Sequence, residues 1–192
     1  MGKVYSHLDE RLRKFIARQS MFFVATAPCL SAAGDGGHVN VSPKGYRDTF
    51  AVLGPLTVAY VDLTGSGSET IAHLRQNGRI TIMFCSFGKQ AKILRIYGRG
   101  RVVLPDSPDW PALAARFSLN GTEGANRRDR RAIIVVEADR IADSCGYAVP
   151  RMKLTEERGL LEELAERKSP EELTAYRAEK NAVSIDGLPS LD

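Results

Sequence analysis

The sequence has little of what most site chemistries require. Only three cysteines occur in 192 residues, Cys29, Cys85 and Cys145. They lie far apart, so no CxxC-type metal pair or redox motif exists. The N-terminus, MGKVYSHLDERLRKF, holds no apolar stretch ahead of a cleavage site. An odd cysteine count in that setting reads as reduced thiols in a cytoplasmic protein. Histidine is equally scarce: His7, His38 and His73 form neither HExxH nor a paired-ligand spacing, which argues against a bound metal. No window approaches 18 consecutive apolar residues, so no membrane-spanning helix is expected. Neither sign of charge dominates. Lys and Arg number 27 against 23 Asp and Glu, a dispersed excess of +4 that permits an anionic ligand and argues against nucleic acid as the main partner.

What remains is ordinary globular material, 43% apolar and 26% charged. Ser6 is a candidate N-cap for a first helix whose apolar face is Leu8, Leu12, Phe15 and Ile16. Strand candidates follow at 21–27, 38–42, 50–53 and 56–62. In the second of these, Val39 and Val41 point one way, Asn40 and Ser42 the other. Gly65-Ser-Gly-Ser68 opens a helix that Asn77-Gly78 closes. Further strands are expected at 79–86, 92–104 and 133–138, the second with a bulge or tight bend at Gly98 or Gly100. A short helix with Trp110, Leu113, Ala114 and Phe117 inward lies between the last two. After Pro150 the composition turns helical. One apolar stripe runs over Leu154, Leu161, Leu164 and Ala165, and a second helix starts at the capping box Ser169-Pro-Glu-Glu172. The pattern predicts an α+β protein. Its core is a small six- to seven-stranded antiparallel β-barrel with an N-terminal helix, an inserted helix and C-terminal helices. Residues 1–150 form the barrel domain and 151–192 a helical extension packed on it.

Four stretches could carry chemistry. Asp62-Leu-Thr-Gly-Ser-Gly-Ser-Glu-Thr70 runs from a strand end through small residues into a helix start. Unpaired backbone N–H groups, the helix dipole and the hydroxyls of Ser66, Ser68 and Thr70 make a phosphate cradle. The plain alternative is a capping box of Ser66 with Glu69. Asn40-Val-Ser-Pro-Lys44-Gly45 offers Lys44 to an anion, or is a strand end with a solvated lysine. Arg95, Tyr97, Arg99 and Arg101 share one strand face, either an anion- or nucleic-acid-binding ribbon or an interface. The basic run Asn126-Arg-Arg-Asp-Arg-Arg131 reads as a solvated loop. Cys145 reads as a small buried apolar side chain rather than a reactive thiol. No nucleophile–base pair and no carboxylate pair can be picked out.

Together these stretches resemble a known family. Phe23-Val-Ala-Thr-Ala27, Val39-Asn-Val-Ser-Pro-Lys-Gly45, Asp62 to Thr70, Asn77-Gly-Arg-Ile-Thr-Ile-Met-Phe84 and Ile93-Leu-Arg-Ile-Tyr-Gly98 occur in one order. That order is similar to the pyridoxamine 5'-phosphate oxidase-like family of FMN-binding split barrels. The resemblance covers about residues 10–140. It implies an FMN cofactor, a homodimer with flavin at the subunit interface, and a flavin-dependent oxidoreductase acting on a small molecule. The alternatives are a non-catalytic barrel or one holding deazaflavin or haem. The implied cofactor residues are Asn40, Val41, Ser42, Lys44, Thr64, Ser66, Gly67, Ser68, Glu69, Thr70 and Arg95. The family's phosphate motif, Ser-Arg-Lys at the helix start, is Ser68-Glu69-Thr70 here, so its two cations are missing. Glu69 would repel a phosphate unless its carboxylate turns back onto its own helix. Charge compensation would then fall to Lys44, Arg95 or the second subunit.

Overall fold

The computed structural model describes residues 2–117 and 128–191. Eight strands are joined in one antiparallel sheet: β1 (Val4–Tyr5), β2 (Phe22–Thr26), β3 (Asn40–Lys44), β4 (Phe50–Val52), β5 (Thr57–Leu63), β6 (Arg79–Cys85), β7 (Ile93–Val103) and β8 (Arg130–Ser144). The order is β3-β2-β6-β7-β8-β5-β4, with the two-residue β1 added along β8. Edge strands β3 and β4 are joined only by residues 45–49 and a 3-10 turn. So short a link between opposite edges requires the sheet to curl, and the split half-barrel follows from it. The Phe22 and Phe50 rings meet inside it, 5.0 Å apart.

The barrel is filled by the inward positions of alternating strands. Val24, Val58, Tyr60, Ile82, Leu94, Ile96 and Ile134 pack with Leu12, Phe15 and Ile16 of α1 (Glu10–Ala17) and Ile71 of α2 (Glu69–Asn77). Outside the barrel, α3 (Trp110–Ala114) and Phe117 cover Ala59, Val61, Val103, Ile133 and Val135. Residues 132–136 of β8 therefore have core on both faces, which is why that stretch is unbroken apolar instead of alternating. The register of β7 on β8 shifts between Tyr97 and Gly98. A Cβ at Gly98 would lie 2.0 Å from the Glu137 carbonyl oxygen, so only glycine fits that close approach.

Three local expectations need correction. Helix α1 is capped by Asp9, not Ser6: its carboxylate accepts from Leu12 N at 2.8 Å, because Leu8 N is held by the Pro55 carbonyl and the helix starts beyond it. Residues 151–158 are not helical. They cross the surface tied by Met152 N to Phe87 O and by the Tyr46 hydroxyl to Arg158 O, and Leu154 stays exposed. Helix α4 begins only at Leu160 (Leu160–Arg167). Cys145 is exposed, since it follows the last residue of β8 where the chain leaves the sheet. Helix α5 (Pro170–Lys180) starts at the expected capping box, with Ser169 N donating to Glu172 Oε2 at 2.7 Å and Glu172 N to Ser169 Oγ at 3.2 Å. Part of the basic run, Asn126 and Arg127, lies outside the described residues.

Candidate functional site

The site lies where β3, the end of β5 and the start of α2 converge. In β3 the inward residues Asn40, Ser42 and Lys44 stand opposite Thr26, Val24 and Phe22 of β2. Asn40 Nδ2 donates to Thr70 Oγ1 at 3.1 Å and to Thr26 Oγ1 at 3.3 Å, while Ser42 Oγ donates to Asn40 Oδ1 at 3.0 Å. Thr26 Oγ1 also lies 3.0 Å from His73 Nδ1 on α2. One amide thus ties the strand to the first turn of the helix. Burial lowers the His73 pKa against the charges of Asp186 and Glu69, so its imidazole is neutral at pH 7.

Beside this network a buried carboxylate holds two cations. Asp62, at the end of β5, accepts from Lys44 Nζ at 2.6 Å and from Arg131 Nε at 2.7 Å. Burial pushes the Asp62 carboxyl up, but Lys44 and Arg131 outweigh it and hold the group below its usual value. The Tyr60 hydroxyl sits beside Thr70. Burial first, and the Asp62 charge second, keep it well above the ordinary phenol value.

The turn at 64–68 is the stretch expected to cradle a phosphate. Thr64 is buried, its N and Oγ1 both bonded to the Asp129 carbonyl at 2.6 and 2.8 Å. Ser66 and Gly67 are exposed. The expected Ser66–Glu69 capping box does not form. The N-cap is Ser68, whose hydroxyl makes no cap bond because it donates instead to the Asn181 carbonyl at 3.3 Å. Glu69 folds back over Gly67, with Oε2 2.5 Å from where a Gly67 Cβ would stand. The carboxylate thereby serves as an internal anion at the positive end of α2.

Of the residues expected at a cofactor, Asn40, Ser42, Lys44, Thr64, Ser66, Gly67, Ser68, Glu69 and Thr70 come together here. Val41 and Arg95 lie on the opposite face of the sheet. Val41 stands in the outward row Val41–Ala25–Thr81–Tyr97, and Arg95 in the adjacent row Pro43–Phe23–Met83–Arg95. The arginines of the β7 face do not act together. Arg95 donates to Ser144 Oγ, Arg99 to the Asn77 carbonyl, and Arg101 pairs with Asp109. Sequence reasoning missed Asp62 and Thr26 as site residues, although both occupy inward strand positions where an apolar residue is the rule. It also left Arg131 in a loop and overlooked Arg177 and Asn181.

With this geometry in view, comparison with known proteins is informative. Residues 8–145 match the family model described as pyridoxamine 5'-phosphate oxidase. The chain is 40% identical over 201 residues to the pyridoxamine 5'-phosphate oxidase family protein ustO of Aspergillus flavus, covering 97% of this chain and 77% of that one. Its backbone is similar to HupZ of Group A Streptococcus, at TM-score 0.51 and 18% identity, over 71% of this chain and 99% of the other. It is also similar to a Lactobacillus delbrueckii protein named after pyridoxamine 5'-phosphate oxidase, at TM-score 0.50 and 17% identity, over 72% and 98%. The split barrel is a shared fold. The chain belongs to the pyridoxamine 5'-phosphate oxidase family.

Proposed function

We propose that this protein binds FMN and works as a flavin-dependent oxidoreductase on a small molecule. The observation that carries the reading is the convergence of the 64–68 turn with Lys44 and Arg131 at the start of α2. A phosphate monoester would be met there by the Ser66 and Thr70 hydroxyls, helix N–H groups and two cations only partly neutralised by Asp62, while the Thr64 and Ser68 hydroxyls are spent on backbone carbonyls. The residues fit that end of the cofactor: Gly67 leaves room that a side chain would fill, and Ser66 is accessible. Lys44 and Arg131 take the place of the missing cation pair at Glu69 and Thr70. Glu69 must swing away from Gly67 to admit the phosphate. Bound flavin supplies the electron transfer. The chain's own groups bind and orient it, with Asn40 and Thr70 locked to each other so that the strand and helix walls keep a fixed spacing.

The active form in this reading is a cytoplasmic homodimer. Its support is the outward face of β3, β2, β6 and β7, where Val41 is 60% exposed and stands in line with Ala25 and Tyr97. A two-fold contact over that face would bring Val41 and Arg95 to the partner's flavin.

A visible spectrum of the purified protein, followed by titration with FMN and riboflavin, tests the reading. Flavin bands and tighter binding of FMN than riboflavin are expected, with the FMN advantage reduced in Lys44→Ala and Thr70→Val. A Soret band, or equal affinity for FMN and riboflavin, would overturn it. Light scattering that returns only monomer at micromolar concentration would remove the shared site.

A further inference from the structure

The family match ends at residue 145, yet the cradle turn is gripped from well beyond it. Arg177 Nε donates to Thr64 Oγ1 at 3.0 Å, and its Nη2 to the carbonyls of Arg128 and Arg130 at 2.6 and 3.3 Å. Asn181 Nδ2 donates to the Gly65 carbonyl at 2.9 Å. Ser190 Oγ donates to the Ser68 carbonyl at 3.1 Å, and Ser68 Oγ to the Asn181 carbonyl at 3.3 Å. Two carbonyls of the turn are thereby held toward the C-terminal segment. The Gly65 carbonyl also accepts from Arg131 Nη1 at 3.4 Å, so both partial negative charges are taken up by donors of the protein.

Both polar and apolar contacts fasten this segment. Ser184, Asp186 and Ser190 face inward and are buried with Leu188, and Leu191 packs against the barrel core, while Val183 and Ile185 face out. Its polar contacts are the ones that reach the 64–68 turn. Asn181 is fully buried, and its Oδ1 has no hydrogen-bond partner among the described residues. A buried acceptor beside the turn is the kind of atom that a ligand hydroxyl or an ordered water fills.

We propose that residues 177–190 form the rear wall of the phosphate site, with Arg177 and Asn181 setting the charge and peptide orientation of the 64–68 turn for a terminal phosphate monoester. The proposal rests on the FMN reading above. Arg177 is a positioning residue: it acts through Thr64 and through its charge. It restores, from outside the family region, part of the positive potential lost with the Arg-Lys pair.

The test titrates FMN and riboflavin against the parent, Arg177→Gln, Arg177→Lys and Ser190→Ala, with ligand-free thermal melts alongside. Loss of one charge-assisted contribution predicts FMN binding about tenfold weaker in Arg177→Gln, with riboflavin affinity held and FMN partly recovered in Arg177→Lys. Ser190→Ala lowers the FMN preference by a smaller factor in the same direction. If Arg177→Gln weakens FMN and riboflavin equally, or neither, while the parent prefers FMN, the segment is only a structural brace and the proposal falls alone. If the parent shows no FMN preference, the phosphate reading falls and takes the rear wall with it. Should Arg177→Gln melt too low to assay, Ser190→Ala decides on the same criterion.

Discussion

The barrel interior and the polar seam beneath α2 are built on the same strands by opposite rules. On β2, Phe22 and Val24 point into apolar core, and the next inward residue is Thr26, bonded to His73. On β5, Val58 and Tyr60 precede Asp62, which carries Lys44 and Arg131. The inward period of two is unbroken in both strands, while the chemistry changes at the end nearest α2. In the interior, Phe22, Phe50, Tyr60 and Phe84 meet with ring centroids 5.0–5.6 Å apart, and the apolar burial that drives them together is non-directional. In the seam each buried donor needs a particular acceptor, and losing one strands the other. A seam of this kind adds little net stability over an apolar one. It does leave oriented hydroxyls and cations at one end of the barrel, which is where an anionic cofactor would be held.

Removing Asp62 should have the largest effect. Asp62→Ala leaves Lys44 and the buried Arg131 without their carboxylate and should cost about 3–5 kcal/mol by denaturant unfolding. Leu94→Ala in the apolar interior should cost about 2–5 kcal/mol. If the Asp62 variant lost less than about 1 kcal/mol, the seam would be relaxing as freely as a surface, and the contrast between the two regions would collapse.

The acid limb of stability separates the regions next. Asp62 titrates lower in the folded chain than in the unfolded one, where its pKa is about 3.9. Its contribution is therefore complete above about pH 4 and drains away as pH falls through the folded value. Asp62→Asn should flatten the stability curve in that acid range, whereas Leu94→Ala should lower the curve without changing its shape. Parallel curves for parent and Asp62→Asn would show that the carboxylate is not the source.

Glu69→Gln probes the cradle. The parent's carboxylate lies over Gly67 at the helix start, where on the FMN reading it would compete with an incoming phosphate. Its removal should tighten FMN by roughly two- to fivefold, the size of one charge at a helix end, with riboflavin little changed. Weaker FMN binding in this variant would mean that Glu69 supports the site.

The smallest effect expected is at the edge of the C-terminal segment. His38 donates to Asp186 from both its backbone N and its Nδ1, at 2.8 and 2.7 Å. The Asp186 bond raises the His38 pKa above its ordinary value, and the same contacts lower that of Asp186. The ion pair is then at full strength below the unfolded histidine value of about 6.5, provided Asp186 is ionised, and fades as pH rises through the folded value. Asp35 and the buried His73 also face Asp186. Amide exchange of residues 181–191, corrected for its intrinsic pH dependence, should lose protection as pH rises through that range in the parent and be independent of it in His38→Ala. A pH response unchanged in His38→Ala would assign it to another group.

Much of the fold was legible because hydrophobic period and turn chemistry are local properties of a chain. The alternation in β6, the glycine at the β7 bulge, the Gly78 helix stop and the Ser169 capping box were each readable within a few residues. The order of five short motifs added the family, and with it the expectation of a phosphate cradle at 64–68. Asp62 and Thr26 carried a signal too, as polar residues at inward positions, but which partners satisfied them lay 18 to 69 residues away in the chain. Only the folded chain could decide that Lys44 and Arg131 share one carboxylate, that Arg95 faces the opposite side of the sheet, and that Arg177, Asn181 and Ser190 return to the cradle turn. Hydrogen bonds and ion pairs act over a few ångströms in space. Once the half-barrel has curled, distance along the sequence no longer says which groups lie that close.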